Sequence, residues 1–327
     1  MPHAVLCRAL GPPERLDFAD LPPAPVGPGE ARVRLEACGI NFPDTLIIAG
    51  KYQHRPELPF IPGVESAGVI TELGPGCGEW RVGDRVITRQ RTGGYAEEIV
   101  RPAQDLLRLP QGFSFAEGAS FTVASLTAYH ALVQRASLAA GETLLVHGAA
   151  GGVGLAAVEL GKRLGARVIA TASNAEKLAV ARRRGADEVI DYAAEDFVER
   201  VRQVTDGAGA DVIFDPVGGE VLKQSLRAIG WGGRILVVGF AGGTIPELAA
   251  NRILLRSCSV IGVRAGEASR VQPELAKAAL DALLALAEEG HLRPHIARTL
   301  PLRSYAEGMR LLMERKAIGR VVLLPRG

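Results

Sequence analysis

The residues best suited to chemistry follow a short apolar run, Leu144-Leu145-Val146. The chain then passes through His147 into Gly148-Ala149-Ala150-Gly151-Gly152-Val153-Gly154, and a helix-like stretch fills 155–165. A turn stripped of side chains between a strand and a helix lets backbone approach a pyrophosphate, and the helix start aims free N–H groups and its positive dipole end at the phosphates. The chemistry this suits is dinucleotide binding, and dinucleotides mostly serve hydride transfer. Ala150, Gly151, Gly152 and Val153 are the residues expected against the phosphates. The spacing is A-x-G-x-x-G, with Ala149 where the usual first glycine stands, so a plain tight turn is the competing reading.

The elements that would position such a turn recur along the chain. Strand patterns at 167–172, 188–191, 212–215, 234–239 and 259–263 alternate with helix patterns at 175–184 and 194–205. That alternation implies an α/β fold with a parallel, doubly wound sheet, in which a Gly-rich first turn is the ligand site. The second strand ends Ala170-Thr171-Ala172-Ser173-Asn174, with no acid to hold ribose hydroxyls, and Lys177 follows. A carboxylate there would repel a 2′-phosphate, whereas Ser173 and Lys177 can bind one. The expected cofactor is therefore NADPH. The alternative makes Lys177 an ordinary exposed helix residue.

Composition narrows the class. Of 327 residues 47% are hydrophobic and 23% charged, with a formal net charge of +2, which is ordinary for a soluble globular protein. No dense Lys/Arg stripe supports nucleic-acid binding, and Arg182-Arg183-Arg184 suits a solvated helix end. No apolar stretch approaches a membrane span, and no leader pattern precedes the first strand, so the cytoplasm is the expected location. Cys7, Cys38, Cys77 and Cys258 are scattered, and Pro294 separates His291 from His295. Neither a disulfide framework nor a metal site is expected.

Two textures divide the chain. Residues 1–122 carry Pro-rich links, short alternating stretches and glycine turns, the pattern of a compact, mostly antiparallel β domain. The βα repeats fill 123–263. The tail, 264–327, with helices at 274–289 and 305–314 and a last strand at 320–324, is expected to return to the first domain and leave a cleft between two lobes.

Read along its length, the chain resembles the medium-chain dehydrogenase/reductase superfamily, and within it the zinc-free NADPH:quinone oxidoreductase (ζ-crystallin-like) branch. The resemblance is carried by Cys38-Gly39-Ile40-Asn41-Phe42-Pro43-Asp44, Leu58-Pro59-Phe60-Ile61-Pro62-Gly63-Val64-Glu65, Gly83-Asp84-Arg85-Val86 and Gly94-Tyr95-Ala96-Glu97. The turn at 148–154, Asp215-Pro216-Val217-Gly218-Gly219 and Gly319-Arg320-Val321-Val322-Leu323 complete it. It implies a Rossmann sheet plus a GroES-like, mostly antiparallel catalytic domain. Zinc alcohol dehydrogenases carry Cys at the position of Asn41 and His at that of Val64. The four-cysteine structural lobe is also missing between Thr88 and Gly93-Gly94. Without a Lewis acid, alcohol oxidation is hard, while reduction of an electrophilic acceptor stays feasible.

The resemblance further implies that Tyr192 joins Ser173 and Lys177 at the adenosine phosphate. Thr127 would lie near the nicotinamide, Gly239-Phe240 and Gly262-Val263 would approach the ring from the ends of the fifth and sixth strands, and Val217 would join the cofactor site. Asn41 and Tyr52 would be catalytic. Tyr52 matches a substrate-facing tyrosine, and its phenol can protonate or hydrogen-bond a developing enolate or hydroquinone oxygen. A packing tyrosine with its hydroxyl in water is the other reading. Asp44 is expected to cap a helix starting at Thr45. Arg264-Ala265 replaces an aromatic pair found in many relatives. Arg264 suits either an anionic acyl-CoA or a surface loop.

The expected activity is zinc-independent, NADPH-dependent hydride transfer to a quinone or an α,β-unsaturated carbonyl. The alternatives are a 2-enoyl thioester reductase and, in another class, a non-catalytic NADPH-binding protein. The resemblance also implies a homodimer through edge pairing of the sixth strand, 258–263; a monomer with the loop 240–251 folded over that edge is the other reading.

Overall fold

The computed structural model describes residues 1–326. The chain forms two compact units, one built from residues 1–122 and the chain from 293 onward, the other from Val123–Leu292.

The first unit is a mostly antiparallel β structure. β1 (His3–Leu6) pairs with β2 (Asp17–Asp20). The main sheet joins β3 (Glu30–Ile40), β4 (Glu65–Leu73), β5 (Arg85–Arg89), β6 (Glu98–Pro102) and β7 (Leu107–Arg108) to β14 (Ile296–Pro301) and β15 (Arg320–Leu324) from the tail. Strict alternation along β3 sends Ala31, Val33, Leu35 and Ala37 into the core, as a half-buried strand requires. β15 pairs antiparallel with the end of β3, setting Val322 opposite Gly39. A Cβ on Gly39 would stand 1.9 Å from the Ala119 carbonyl oxygen, so only glycine lets the backbone pass there. The helices of this unit are α1 (Phe42–Ile48), α2 (Phe115–Gly118) and α11 (Tyr305–Met313).

The second unit is a doubly wound parallel sheet. β8 (Thr143–Val146), β9 (Arg167–Ala172), β10 (Glu188–Asp191), β11 (Ala210–Asp215), β12 (Ile229–Val237) and β13 (Ser259–Gly262) lie in the order β10-β9-β8-β11-β12-β13, all parallel. The order reverses between β8 and β11, the switch point at which loops leave the sheet in opposite directions. α3 (Thr122–Tyr129) continues into a wider turn over His130–Arg135. It is followed by α4 (Gly152–Arg163), α5 (Ala175–Arg183), α6 (Phe197–Val204), α7 (Gly219–Ala228), α8 (Ala250–Arg256), α9 (Ala265–Val271) and α10 (Pro273–Glu288).

Three expectations are corrected. Residues 264–292, expected with the first unit, belong to the second. α10 buries Ala279, Leu280, Leu283 and Ala287 there, and the Leu275 carbonyl accepts from the Gln134 amide at 3.1 Å. α6 begins at Phe197 rather than 194, because the Asp196 carboxylate caps it by accepting the Val198 N–H at 2.8 Å. The strand expected from 234 begins at Ile229, five residues earlier.

Candidate active site

At the end of β8 the turn is built as its composition demands. Gly148 adopts φ +56°, the left-handed conformation that starts the turn. Ala149 therefore need not be glycine, which resolves the departure from the usual spacing. A Cβ on Gly154 would lie 2.3 Å from the Gly148 carbonyl oxygen, so the third glycine of the pattern sets how closely α4 packs on the turn. Gly151 is the cap of α4 and gives no side-chain hydrogen bond to the first turn.

Apart from Thr127, the other expected cofactor residues in this unit stand in segments that follow carboxyl ends of the same sheet. Ser173 follows β9, and the Lys177 ammonium donates to its hydroxyl at 3.2 Å. Tyr192 follows β10, is 38% exposed, and donates its backbone N–H to Ala172 at 3.2 Å. Beyond β11 the buried Asp215 carboxylate accepts the Val217 and Gly218 N–H groups at 2.7 and 2.9 Å. The Gly242 N–H bonds the Val217 carbonyl at 2.7 Å, which ties this loop to the one after β12 that carries Gly239 and Phe240. Val263 is buried beyond β13, its N–H on the Val237 carbonyl at 2.9 Å. Thr127, on α3, is half-buried and donates its hydroxyl to the Val123 carbonyl at 2.7 Å, leaving the oxygen able to accept.

In the first unit Asn41 and Tyr52 have different settings. Asn41 is 1% exposed and donates its amide to Glu65 at 3.0 Å. The other Glu65 oxygen accepts the Thr122 hydroxyl at 2.8 Å, and the Arg320 guanidinium donates to the oxygen that Asn41 uses. Asn41 is thus engaged in a buried polar network of the first unit that joins Glu65 on β4, Thr122 and Arg320 on β15, where it orients neighbours. Tyr52 is half-buried and packs against the apolar core of this unit. Sequence reading passed over the Glu65–Arg320 pair. Both residues lie in quoted motifs, but 255 positions separate them.

Asp44 also differs from expectation. The helix starts at Phe42, not Thr45, and Asp44 sits in its first turn rather than at its cap. Its carboxyl accepts the Asn41 N–H and the Tyr95 hydroxyl, each at 2.8 Å. Burial pushes the Asp44 carboxyl up to about 7, against the pull of those two donors. The same burial, with Asp44 beside it, pushes the Tyr95 phenol well above its ordinary range. Arg264, considered above for an anionic substrate, lies 3.6 Å from Glu267 across the first turn of α9.

Because the folded Asp44 holds its proton to about pH 7, it stabilises the fold most in acid. That stabilisation is lost as pH rises past the unfolded value and through the folded one. Relative to Asp44→Asn, the wild-type unfolding free energy in urea should fall by up to ~1.4 kcal/mol per pH unit between about pH 4 and 7. A pH-independent difference between the two would contradict this setting for Asp44.

Comparison with known proteins agrees with this architecture. Residues 27–111 match the alcohol dehydrogenase GroES-like domain, and residues 152–284 match the zinc-binding dehydrogenase family. The donors present do not fit the zinc of that second description. Val64 offers no donor, the Asn41 amide is held by Glu65, and both Glu65 oxygens are bonded, one to a guanidinium. Among the described residues no three His, Cys, Asp or Glu side chains gather to hold a metal ion. A quinone oxidoreductase-like protein 2 homolog of Nematostella vectensis is 40% identical, covering 98% of this chain and 88% of its own. The Pseudomonas syringae quinone oxidoreductase superposes with a TM-score of 0.90 at 33% identity, over 99% of this chain and 100% of that one. The Escherichia coli quinone oxidoreductase complexed with NADPH gives 0.90 at 30% identity, with 99% and 100% covered. The chain belongs to the medium-chain dehydrogenase/reductase superfamily, in its quinone oxidoreductase branch.

Proposed function

We propose that this oxidoreductase uses NADPH to reduce a quinone or an α,β-unsaturated carbonyl, without zinc and as a homodimer. The observation that carries the cofactor reading is the Lys177–Ser173 pair at the end of β9. A cation and a hydroxyl stand 3.2 Å apart where an NAD enzyme would place a carboxylate. The same reading is supported by the E. coli relative, which was solved with NADPH. The Gly148–Gly154 backbone and the α4 N-terminus would hold the pyrophosphate. Ser173, Lys177 and Tyr192 would hold the adenosine phosphate, and Thr127, Val217, Gly239, Phe240 and Val263 the nicotinamide end. NADPH supplies the hydride. The Tyr52 phenol would donate a hydrogen bond or proton to the oxygen that gathers charge, while Asn41 acts through the buried network that it helps to order.

The anionic acyl-CoA reading drew on Arg264, and its exposed side chain beside Glu267 favours the surface reading instead. Quinone or enone is the acceptor class retained. NADPH should bind at least about tenfold tighter than NADH, a difference of ~1.4 kcal/mol, and Lys177→Ala should lose most of that preference. Titration of both cofactors by fluorescence measures it, and equal dissociation constants in the wild type would sink the assignment.

Zinc independence rests on the donor chemistry of Asn41, Val64 and the Arg320-bound Glu65. Chelator treatment should leave NADPH oxidation unchanged, with no stoichiometric zinc by elemental analysis. Zinc that tracks activity through dialysis would contradict it.

The dimer reading rests on β13, the last strand in its sheet order. Unpaired strand edges invite association, and Ile245, Leu254 and Leu255, 70–77% exposed in the segment leading to β13, add apolar surface. Two-fold pairing of β13 would extend one sheet across two copies. Light scattering should return about twice the 34.5 kDa chain mass, and Val260→Pro should give monomer or precipitate. A monodisperse wild-type monomer at micromolar concentration would rule the pairing out.

A further inference from the structure

His147 lies directly before the Gly-rich turn and is 1% exposed. Its Nδ1 is 3.0 Å from the Thr171 hydroxyl on β9, and its Nε2 is 3.0 Å from the Ser225 hydroxyl on α7. Thr171 and Ser225 are themselves fully buried. The network fixes the tautomer. Ser225 gives its only hydroxyl proton to the Val221 carbonyl at 2.8 Å, so it must accept from Nε2–H. Nδ1 is then the bare nitrogen, and Thr171 donates to it. Burial holds this imidazole below the usual histidine range, against the pull of Asp215, which keeps the donor–acceptor pattern intact at neutral pH.

The Thr171 arm leads to the turn itself. The Thr171 carbonyl accepts the Ala149 N–H at 3.1 Å, and the His147 N–H bonds the Phe214 carbonyl on β11 at 3.0 Å. Two residues beyond Thr171 stands Ser173, the partner of Lys177. One imidazole therefore links the start of the turn, the end of β9 and α7. Its ring also packs in a T-shaped arrangement against Phe197, with centroids 4.9 Å apart, so it has little room to reorient.

We infer that His147 is a positioning residue for cofactor binding, which through Thr171 sets the turn at 148–151 and the end of β9 in register for the dinucleotide. The inference rests on the nicotinamide-cofactor reading above. The Ser225 arm, by contrast, anchors the imidazole to α7 and serves stability. This separates two effects that a merely structural histidine would not separate. His147→Leu and Thr171→Val remove the bond toward the turn. His147→Asn retains an acceptor at the position of Nδ1, and Ser225→Ala removes only the α7 arm.

The test is NADPH titration of the purified full chain by fluorescence, with the Tm of each variant measured alongside. His147→Leu and Thr171→Val should weaken binding by about tenfold or more. His147→Asn and Ser225→Ala should lower Tm yet stay within about threefold of the wild-type Kd. Thr171→Val is nearly isosteric and keeps the measurement available should His147→Leu fail to fold. Wild-type affinity in Thr171→Val, or equal losses in Ser225→Ala and Thr171→Val, would overturn the positioning role. A wild-type chain that binds neither NADPH nor NADH would overturn the cofactor reading together with it, and so is distinguishable from failure of the inference alone.

Discussion

Everything proposed for the second unit depends on one constraint. Its six strands run parallel and the winding reverses between β8 and β11. A parallel strand must be followed by a crossover, so each carboxyl end is forced to turn away as a loop. Where the winding reverses, neighbouring loops diverge and leave room for a ligand. The residues named for the cofactor beyond β8, β9, β10, β11, β12 and β13 share no sequence neighbourhood, and the sheet alone brings their segments to one edge. The loops are then tied to one another. Asp215 gathers the backbone after β11, and the Val217 carbonyl bonds the loop after β12.

The first unit depends on a different kind of order, a buried charge that must be fully bonded. Glu65 is 0% exposed and accepts from Asn41, Thr122 and Arg320. A buried pair of this kind contributes little net stability over an apolar substitute, but removing one partner costs about 3–5 kcal/mol. The arrangement is thereby strict about which segments meet. Arg320 opens β15, so the pair holds the returning tail against β4, while β15 completes the sheet beside β3. The same network decides the chemistry available. A carboxylate already shared by a guanidinium and an amide is a poor metal donor; on the zinc-free reading proposed above, the acceptor would have to be electrophilic by itself.

Much of this was legible in the sequence because it is local. The apolar run and small-residue turn from Leu144 to Gly154 mark a strand, a tight turn and a close-packed helix, and the missing acid after Ala172 can be read directly. Ala149 was a harder case, since pattern alone does not reveal that Gly148 supplies the positive φ. Helix starts were misplaced where a polar residue had two possible roles. Asp44 reads as a cap but is held inside the first turn by the Asn41 N–H and the Tyr95 hydroxyl. What the sequence hid is long-range pairing. Nothing near Glu65 points to Arg320, and nothing near His147 points to Ser225, 78 positions away. The assignment of 264–292 failed for the same reason, because only packing shows that the buried face of α10 belongs with the parallel unit.

The central claim is that a nicotinamide dinucleotide lies across the carboxyl edge of the parallel sheet, at the reversal between β8 and β11. Backbone amide hydrogen exchange, followed by mass spectrometry with and without NADPH, tests it most directly. Bound NADPH should slow exchange in residues 148–154, 173–177 and 216–219 together, because these segments follow β8, β9 and β11 at one edge. Unchanged exchange in all three segments, with protection confined to the opposite edge of the sheet or to the first unit, would contradict it.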